Sequence, residues 1–190
     1  LYRLMDTLLL WDKDLFLWLN NLGTPQFDAF WMALTDKKNT IAFYVLLTAI
    51  FSKWLGWKNT LWLLLTIALL INFTDQITNA FKNGFQRLRP CHEESLDGMM
   101  RLVKSSCGGK YSYFSGHASN SFAIATLFVT LFAKRFRIVR ILFIVAALVA
   151  YSRIYIGVHY PLDVLSGALF GTFAGWMFAK IYLKFIPNPI

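Results

Sequence analysis

Apolar residues run through the chain in blocks long enough to cross a bilayer, separated by short polar stretches. A spanning helix needs about 20 largely apolar residues to traverse ~30 Å of hydrocarbon. Five segments fit: residues 39–51, extendable to 57; 60–81; 116–133; 138–155; and 161–185. Lys37, Lys38 and Lys53 crowd the first. The second carries Asn72, Asp75, Gln76 and Asn79 in its last turns. The last spaces Gly167, Gly171 and Gly175 four apart, a pattern that lets helices pack closely. The first 36 residues differ. Leu4, Leu8, Trp11, Leu15, Trp18 and Leu22 recur at helical spacing, while Asp6, Asp12, Lys13 and Asp14 interrupt any spanning run. This predicts an amphipathic helix lying in the membrane interface, its tryptophans at headgroup depth. A second short helix is expected from Thr24–Pro25, a Thr cap followed by Pro at the first helical position. The expected architecture is an all-α membrane bundle of about five spanning helices (39–190), preceded by an interfacial amphipathic region (1–38).

Composition sharpens this picture. The 190 residues are 57% hydrophobic and only 15% charged, with a mean hydropathy of +0.49. Soluble domains carry roughly a quarter charged residues, so disorder, a collagen-like repeat and a soluble domain are all excluded. The net charge of +9 does not imply nucleic acid, which needs a basic stripe facing water. Two cysteines are too few for a disulfide scaffold or a Cys-rich zinc site. The first residue is Leu1, which leaves an upstream segment open.

The charge has a direction. Lys53, Lys58, Lys134, Arg135, Arg137, Arg140, Lys180 and Lys184 fall on one side of the membrane without an acid. The other side holds the remaining eleven cations and all ten acids. Short loops weigh most in orientation, which favours the acid-free side as cytoplasmic.

Ionisable residues near membrane segments call for a partner or a function. Here they gather at helix ends on one face. Lys82, Arg87, Arg89 and Pro90 close the second span; Ser115, Gly116 and His117 open the third; Ser152 and Arg153 close the fourth; His159 and Asp163 precede and open the fifth. The polar stretch 82–115 joins the first two groups, and a loop that long is usually functional. Antiparallel helices would merge these ends into one pocket. Such a pocket suits a phosphate ester. Lys82, Arg89 and Arg153 can neutralise phosphoryl oxygens. Ser115 occupies a capping position, so the following amides point at an anion. Gly116 leaves room for close approach. Asp163, four residues after His159, can orient one ring nitrogen and leave the other as nucleophile. His117 can protonate a leaving alkoxide.

The spacing Lys82-x6-Arg89-Pro90, Ser115-Gly116-His117 and Ser152-Arg153-x5-His159-x3-Asp163 resembles the type 2 phosphatidic acid phosphatase family of integral membrane lipid phosphatases. The resemblance covers about residues 60–185. It implies a phosphohistidine on His159, oriented by Asp163, with His117 as general acid and then base. It implies a phosphate cradle of Lys82, Arg89, Arg153, Ser115 and the Gly116 amide, with no metal and no cofactor. This chain has Phe114 where the family usually has Pro, which predicts an altered approach to the third span with catalysis retained. Taken alone, His117 or Arg153 reads equally well as a satisfied polar residue or a snorkelling anchor; together, in register, they read as a site. Arg87 is off-motif and is expected to anchor a headgroup. Asp75 either pairs with Lys82 or caps a polar patch. Thr66, Ser119 and Ser121 read as helix-packing residues.

Cys91 and Cys107 lie in the motif-bearing loop, either as a disulfide, if that loop is extracytoplasmic, or as free thiols. The expected partners are the bilayer and a lipid phosphate, with undecaprenyl diphosphate ranked ahead of phosphatidylglycerophosphate, phosphatidate and lipid A phosphates. The expected location is a bacterial inner membrane with the site facing outward. The rival reading is a non-catalytic lipid-phosphate binder or transporter on the same fold.

Overall fold

A computed structural model of the protein describes residues 2–186, without the side chains of residues 2–4. The Leu4 position of the apolar stripe and residues 187–190 therefore lie outside it. The chain forms α1 (Tyr2–Asn21), α2 (Pro25–Thr35), α3 (Lys37–Phe85), α4 (Gly116–Phe132), α5 (Leu142–Tyr155) and α6 (Pro161–Phe185). Among the described residues the only β pairing is a single bridge between Leu88 and Tyr111.

The first two predicted spans meet without a loop inside α3. Gly56, at φ 72° and ψ 162°, interrupts the helical geometry, a conformation that glycine adopts without Cβ strain. A straight helix would set Lys37 and Lys82 about 68 Å apart at 1.5 Å per residue, yet both line one cavity. The chain therefore reverses at Gly56, and α3 is a hairpin of two spanning segments. By length and composition α3, residues 137–155 and α6 can cross a membrane; α4, with 17 residues, is shorter.

Two groups of contacts set which helix ends meet. At the Gly56 end, Phe51 stacks on Phe132 at 4.3 Å, Trp54 lies 4.8 Å from Phe136, and the Tyr182 hydroxyl donates to the Asn59 carbonyl at 3.1 Å. The α4–α5 turn and the tail of α6 thus sit beside the hairpin bend. Along the bundle, Gly167, Gly171 and Gly175 lie on the backbone of α4: a Cβ added at each would run into the carbonyl oxygens of Ser115, Ser119 and Ala123 respectively. The glycine spacing is a close helix–helix seam, as the sequence predicts. The ends of α3, α4, α5 and α6 that carry the three motifs are therefore gathered at the opposite pole.

The N-terminal helices differ in detail from expectation. Leu8, Trp11, Leu15, Trp18 and Leu22 are exposed, with Trp11 at 69%, and form the apolar stripe. Asp12, Phe16 and Asn20, also four apart, are buried on the opposite face. Asp12 is thus a docking residue rather than an interruption of a span. Thr24 precedes α2 but makes no side-chain cap; its carbonyl instead accepts from the Tyr155 hydroxyl at 2.7 Å.

Candidate active site

A cavity of about 550 Å³ opens at the motif-bearing pole. Its lining includes Lys82 from the last turn of α3, Arg89 from the following loop, Gly116 and His117 from the first turn of α4, Arg153 from the last turn of α5, and His159 from the α5–α6 loop. These six residues, up to 77 positions apart in sequence, are brought together because four helices end here.

Both arginines are held from behind. Arg89 donates Nε to the Tyr111 carbonyl at 3.2 Å and Nη1 to the Cys107 carbonyl at 2.7 Å. The acceptor loop is tied back by the pairing of Cys91 with Cys107 as a disulfide, Cα atoms 5.9 Å apart. Gly108 lies against the Arg89 guanidinium at φ +79°, where a Cβ would come within 3.2 Å of Nη1. Arg153, 6% exposed, is anchored by Nη1 on the Thr35 hydroxyl, while its buried Nε has no partner. An unpartnered guanidinium N–H is costly unless a ligand satisfies it, so the Arg153 fork is poised for an anion. Lys82 has no carboxylate within 4.0 Å among the described residues.

The two imidazoles have distinct settings. His117 sits in the first turn of α4 and lines the cavity. His159 is buried, its Nδ1 3.5 Å from Asp163 Oδ2. That separation is long for a hydrogen bond, as is common before substrate binds. Asp163 is fully buried; its Oδ2 accepts from the Tyr160 amide at 3.0 Å. Burial first, and then the cations Arg153, Arg89 and Lys82, hold the His159 pKa well below the ordinary imidazole value of 6.5. His159 is therefore neutral, with Nε2 free of the carboxylate.

Two sequence expectations change. Ser115 is fully buried and lies outside the cavity lining. Its hydroxyl caps α4 by accepting from the Ala118 amide at 3.4 Å, and its own amide donates to the Asp163 carbonyl at 2.9 Å. It locks the α4 and α6 termini together from behind the wall. Arg87 is not a headgroup anchor. Its Nη1 donates to Asp163 Oδ1 at 2.9 Å, its Nη2 to Asp12 Oδ2 at 2.6 Å, and its guanidinium lies 4.0 Å over the Tyr160 ring. Asp75 is not ion-paired with Lys82; it accepts from the Asn120 side-chain amide at 2.9 Å on the cavity wall. Phe114, in the place usually taken by Pro, is buried between Phe81 and Phe170 with ring centroids 5.2 Å from each. Lys37, Tyr44, Lys104 and Gly109 also line the cavity and are absent from the sequence-predicted set. Lys37 follows an N-cap and Lys104 lies in a loop, so neither carries a spacing signal.

The model of the PAP2 superfamily matches residues 59–187. Lipid A 4'-phosphatase of Bacteroides thetaiotaomicron is 36% identical over 175 residues, 91% of this chain and 77% of that protein. An undecaprenyl-diphosphatase of Sulfolobus acidocaldarius is 44% identical over 72 residues, 37% of this chain and 34% of that protein. The crystal structure of Aquifex aeolicus LpxE superposes with a TM-score of 0.68 at 29% identity, covering 88% of this chain and 93% of that one.

Proposed function

The chain belongs to the PAP2 superfamily and is a membrane lipid phosphatase, and from that premise we propose that it hydrolyses a phosphate monoester of a glycolipid of the lipid A class through a phosphohistidine. The observation that carries the chemistry is the convergence of His159 and His117 with Lys82, Arg89 and Arg153 on one cavity. His159 Nε2 attacks phosphorus. The bond from phosphorus to the sugar oxygen breaks, and His117 donates a proton to that oxygen. His117 then takes a proton from water, which attacks phosphorus; the P–N bond breaks and its electrons return to His159. Lys82, Arg89 and Arg153 stabilise charge on the phosphoryl oxygens throughout.

The substrate ranking follows the extent of likeness. Likeness to the lipid A 4'-phosphatase spans nine-tenths of this chain, whereas likeness to the undecaprenyl-diphosphatase spans little more than a third. Lipid A phosphate therefore moves ahead of undecaprenyl diphosphate, which the sequence alone ranks first. The acid-free cations at the opposite pole support a site on the outward face of a bacterial inner membrane, reached sideways from the lipid.

The test is phosphate release by purified protein from lipid A, undecaprenyl diphosphate, phosphatidate and phosphatidylglycerophosphate, each in excess EDTA. Highest kcat/KM on lipid A is expected, unaffected by chelator. A different preferred lipid overturns the substrate, and loss of all activity with EDTA overturns the metal-independent route. His159→Ala should abolish release and leave no acid-labile phosphoenzyme. Release near the wild-type rate from that variant would rule out the covalent step.

A further inference from the structure

The family model begins at residue 59, yet a carboxylate from residue 12 binds the arginine that holds Asp163. Asp12 projects from the buried face of α1 and makes two contacts. Its Oδ2 takes Arg87 Nη2 at 2.6 Å, and its Oδ1 accepts the Leu162 amide at 2.8 Å. Leu162 is the second residue of α6, so that amide is one of the helix's unpaired donors. One side chain thus grips both the N-terminus of the helix that carries Asp163 and the arginine that touches Asp163.

We propose that Asp12 is a positioning residue for the phosphoryl-transfer dyad, acting through Arg87 to set the orientation and charge of Asp163 against His159. Geometry supplies the first reason. Arg87 spends one nitrogen on Asp12 and one on Asp163 Oδ1, which leaves Asp163 Oδ2 for the Tyr160 amide and His159 Nδ1. Guanidinium and carboxylate prefer a bidentate fork. Freed from Asp12, Arg87 would close on both oxygens of Asp163 and compete with the imidazole. Charge supplies the second reason. Asp12, Arg87 and Asp163 together carry one net negative charge, available to the imidazole as it gains positive character on phosphorylation. Without the Asp12 charge that set is neutral.

The rest of the α1 face fixes the same segment. Phe16 packs on Tyr160 with ring centroids 5.4 Å apart. The fully buried Asn20 amide donates to the carbonyls of Ile154, Tyr155 and Arg101 at 3.0, 2.9 and 3.1 Å. Contacts at positions 12, 16 and 20 therefore bracket the 154–163 segment that bears His159.

This inference rests on the phosphatase reading, and its test separates the two. Asp12→Asn keeps an acceptor for the Leu162 amide and removes the charge. With lipid A phosphate it should lower kcat by about tenfold or more, the scale of losing a partner behind a catalytic imidazole, with KM within about twofold and the melting temperature near wild type. Asp12→Glu should recover most of the rate. Wild-type kcat in the Asn variant overturns the proposal, as does a loss expressed only in melting temperature. The second arm needs no turnover: ¹⁵N spectra of histidine-labelled protein in micelles report the His159 tautomer. Wild type should hold the proton on Nδ1, Asp12→Asn should mix the two tautomers, and Asp12→Glu should restore the first. An unchanged His159 signal in Asp12→Asn overturns the positioning role even if the true substrate is another lipid. A wild-type protein silent on every lipid phosphate, with the tautomer shift present, instead overturns the substrate reading alone. Should Asp12→Asn fail to fold, Asp12→Ser, which also removes the charge and keeps a hydroxyl acceptor near the Leu162 amide, carries the same readouts: kcat and the tautomer must change together, and wild-type values for both would overturn the proposal.

Discussion

At the scale of single residues, the chemistry of His159 depends on its being neutral. Two kinds of group act on it. Arg153 from α5, Lys82 from α3 and Arg89 from the loop oppose a second positive charge, and burial opposes it more strongly; Asp163 from α6 and the neighbouring His117 of α4 complete the surroundings. The pKa therefore falls below 6.5. The sign is definite: burial and the three cations disfavour the imidazolium, so His159 keeps its neutral form to lower pH than an unperturbed imidazole would. A histidine NMR titration in micelles, assigned with His159→Ala, should show its midpoint below 6.5; a midpoint at or above that value contradicts the electrostatic account. The residues that carry this behaviour were legible because each lies in a short local spacing at a helix end. Asp12 and Arg87 were not. Their partnership spans 75 positions, and in sequence each looks like an ordinary charge near a membrane. Ser115 was legible as a cap but not as a residue behind the cavity wall, since a capping position is read from the helix start alone and says nothing of which neighbour covers it. One signal in the sequence does point to Asp12: with Phe16 and Asn20 it shares the four-residue spacing of a second buried face.

At the scale of elements, the seam between α4 and α6 decides how accurately the site is assembled. The Ser115 amide meets the Asp163 carbonyl at its upper end, and the three glycines keep the backbones in contact below it. Gly171→Ala places a methyl group against the backbone carbonyl of Ser119, an atom that cannot rotate away. Overpacking of this kind costs about 1–3 kcal/mol, and the same displacement would part Gly116 and His117 from His159. The expected outcome is a lower melting temperature in detergent together with reduced kcat. Gly84→Ala is the control, because an added Cβ there meets nothing within 4 Å; it should melt at or slightly above the wild-type temperature. Equal melting of the two variants would show that the seam is not tight. The glycine spacing was visible in the sequence. The α3 hairpin was visible only as two apolar blocks, because a single residue at positive φ suffices to reverse the chain and leaves no polar loop to read.

At the scale of the whole molecule, charge and architecture agree. The eight acid-free cations flank the Gly56 bend, the α4–α5 turn and the tail of α6, the elements that meet at one pole. The cavity and every acid in a described contact lie toward the other pole. A net charge of +9 is thus mainly an orientation signal, and the cations that bear on function belong to the pole where charges nearly balance. If positive loops stay inside, the phosphatase cavity faces outward. Single cysteines test this without disturbing the site. Ile138, in the α4–α5 turn, is 74% exposed, and Met99, in the motif-bearing loop, is 55% exposed. Both native cysteines are paired with each other, so an added thiol is the only one free. In intact spheroplasts a membrane-impermeant maleimide should label Met99→Cys and spare Ile138→Cys, and disruption of the membrane should expose both. The inverse pattern would place the cavity in the cytoplasm. A phosphatase acting on lipids presented at the inner leaflet would then follow, and with it a reducing environment in which the Cys91–Cys107 pair could not persist. The labelling pattern and the redox state of that pair must therefore agree, which makes each a check on the other.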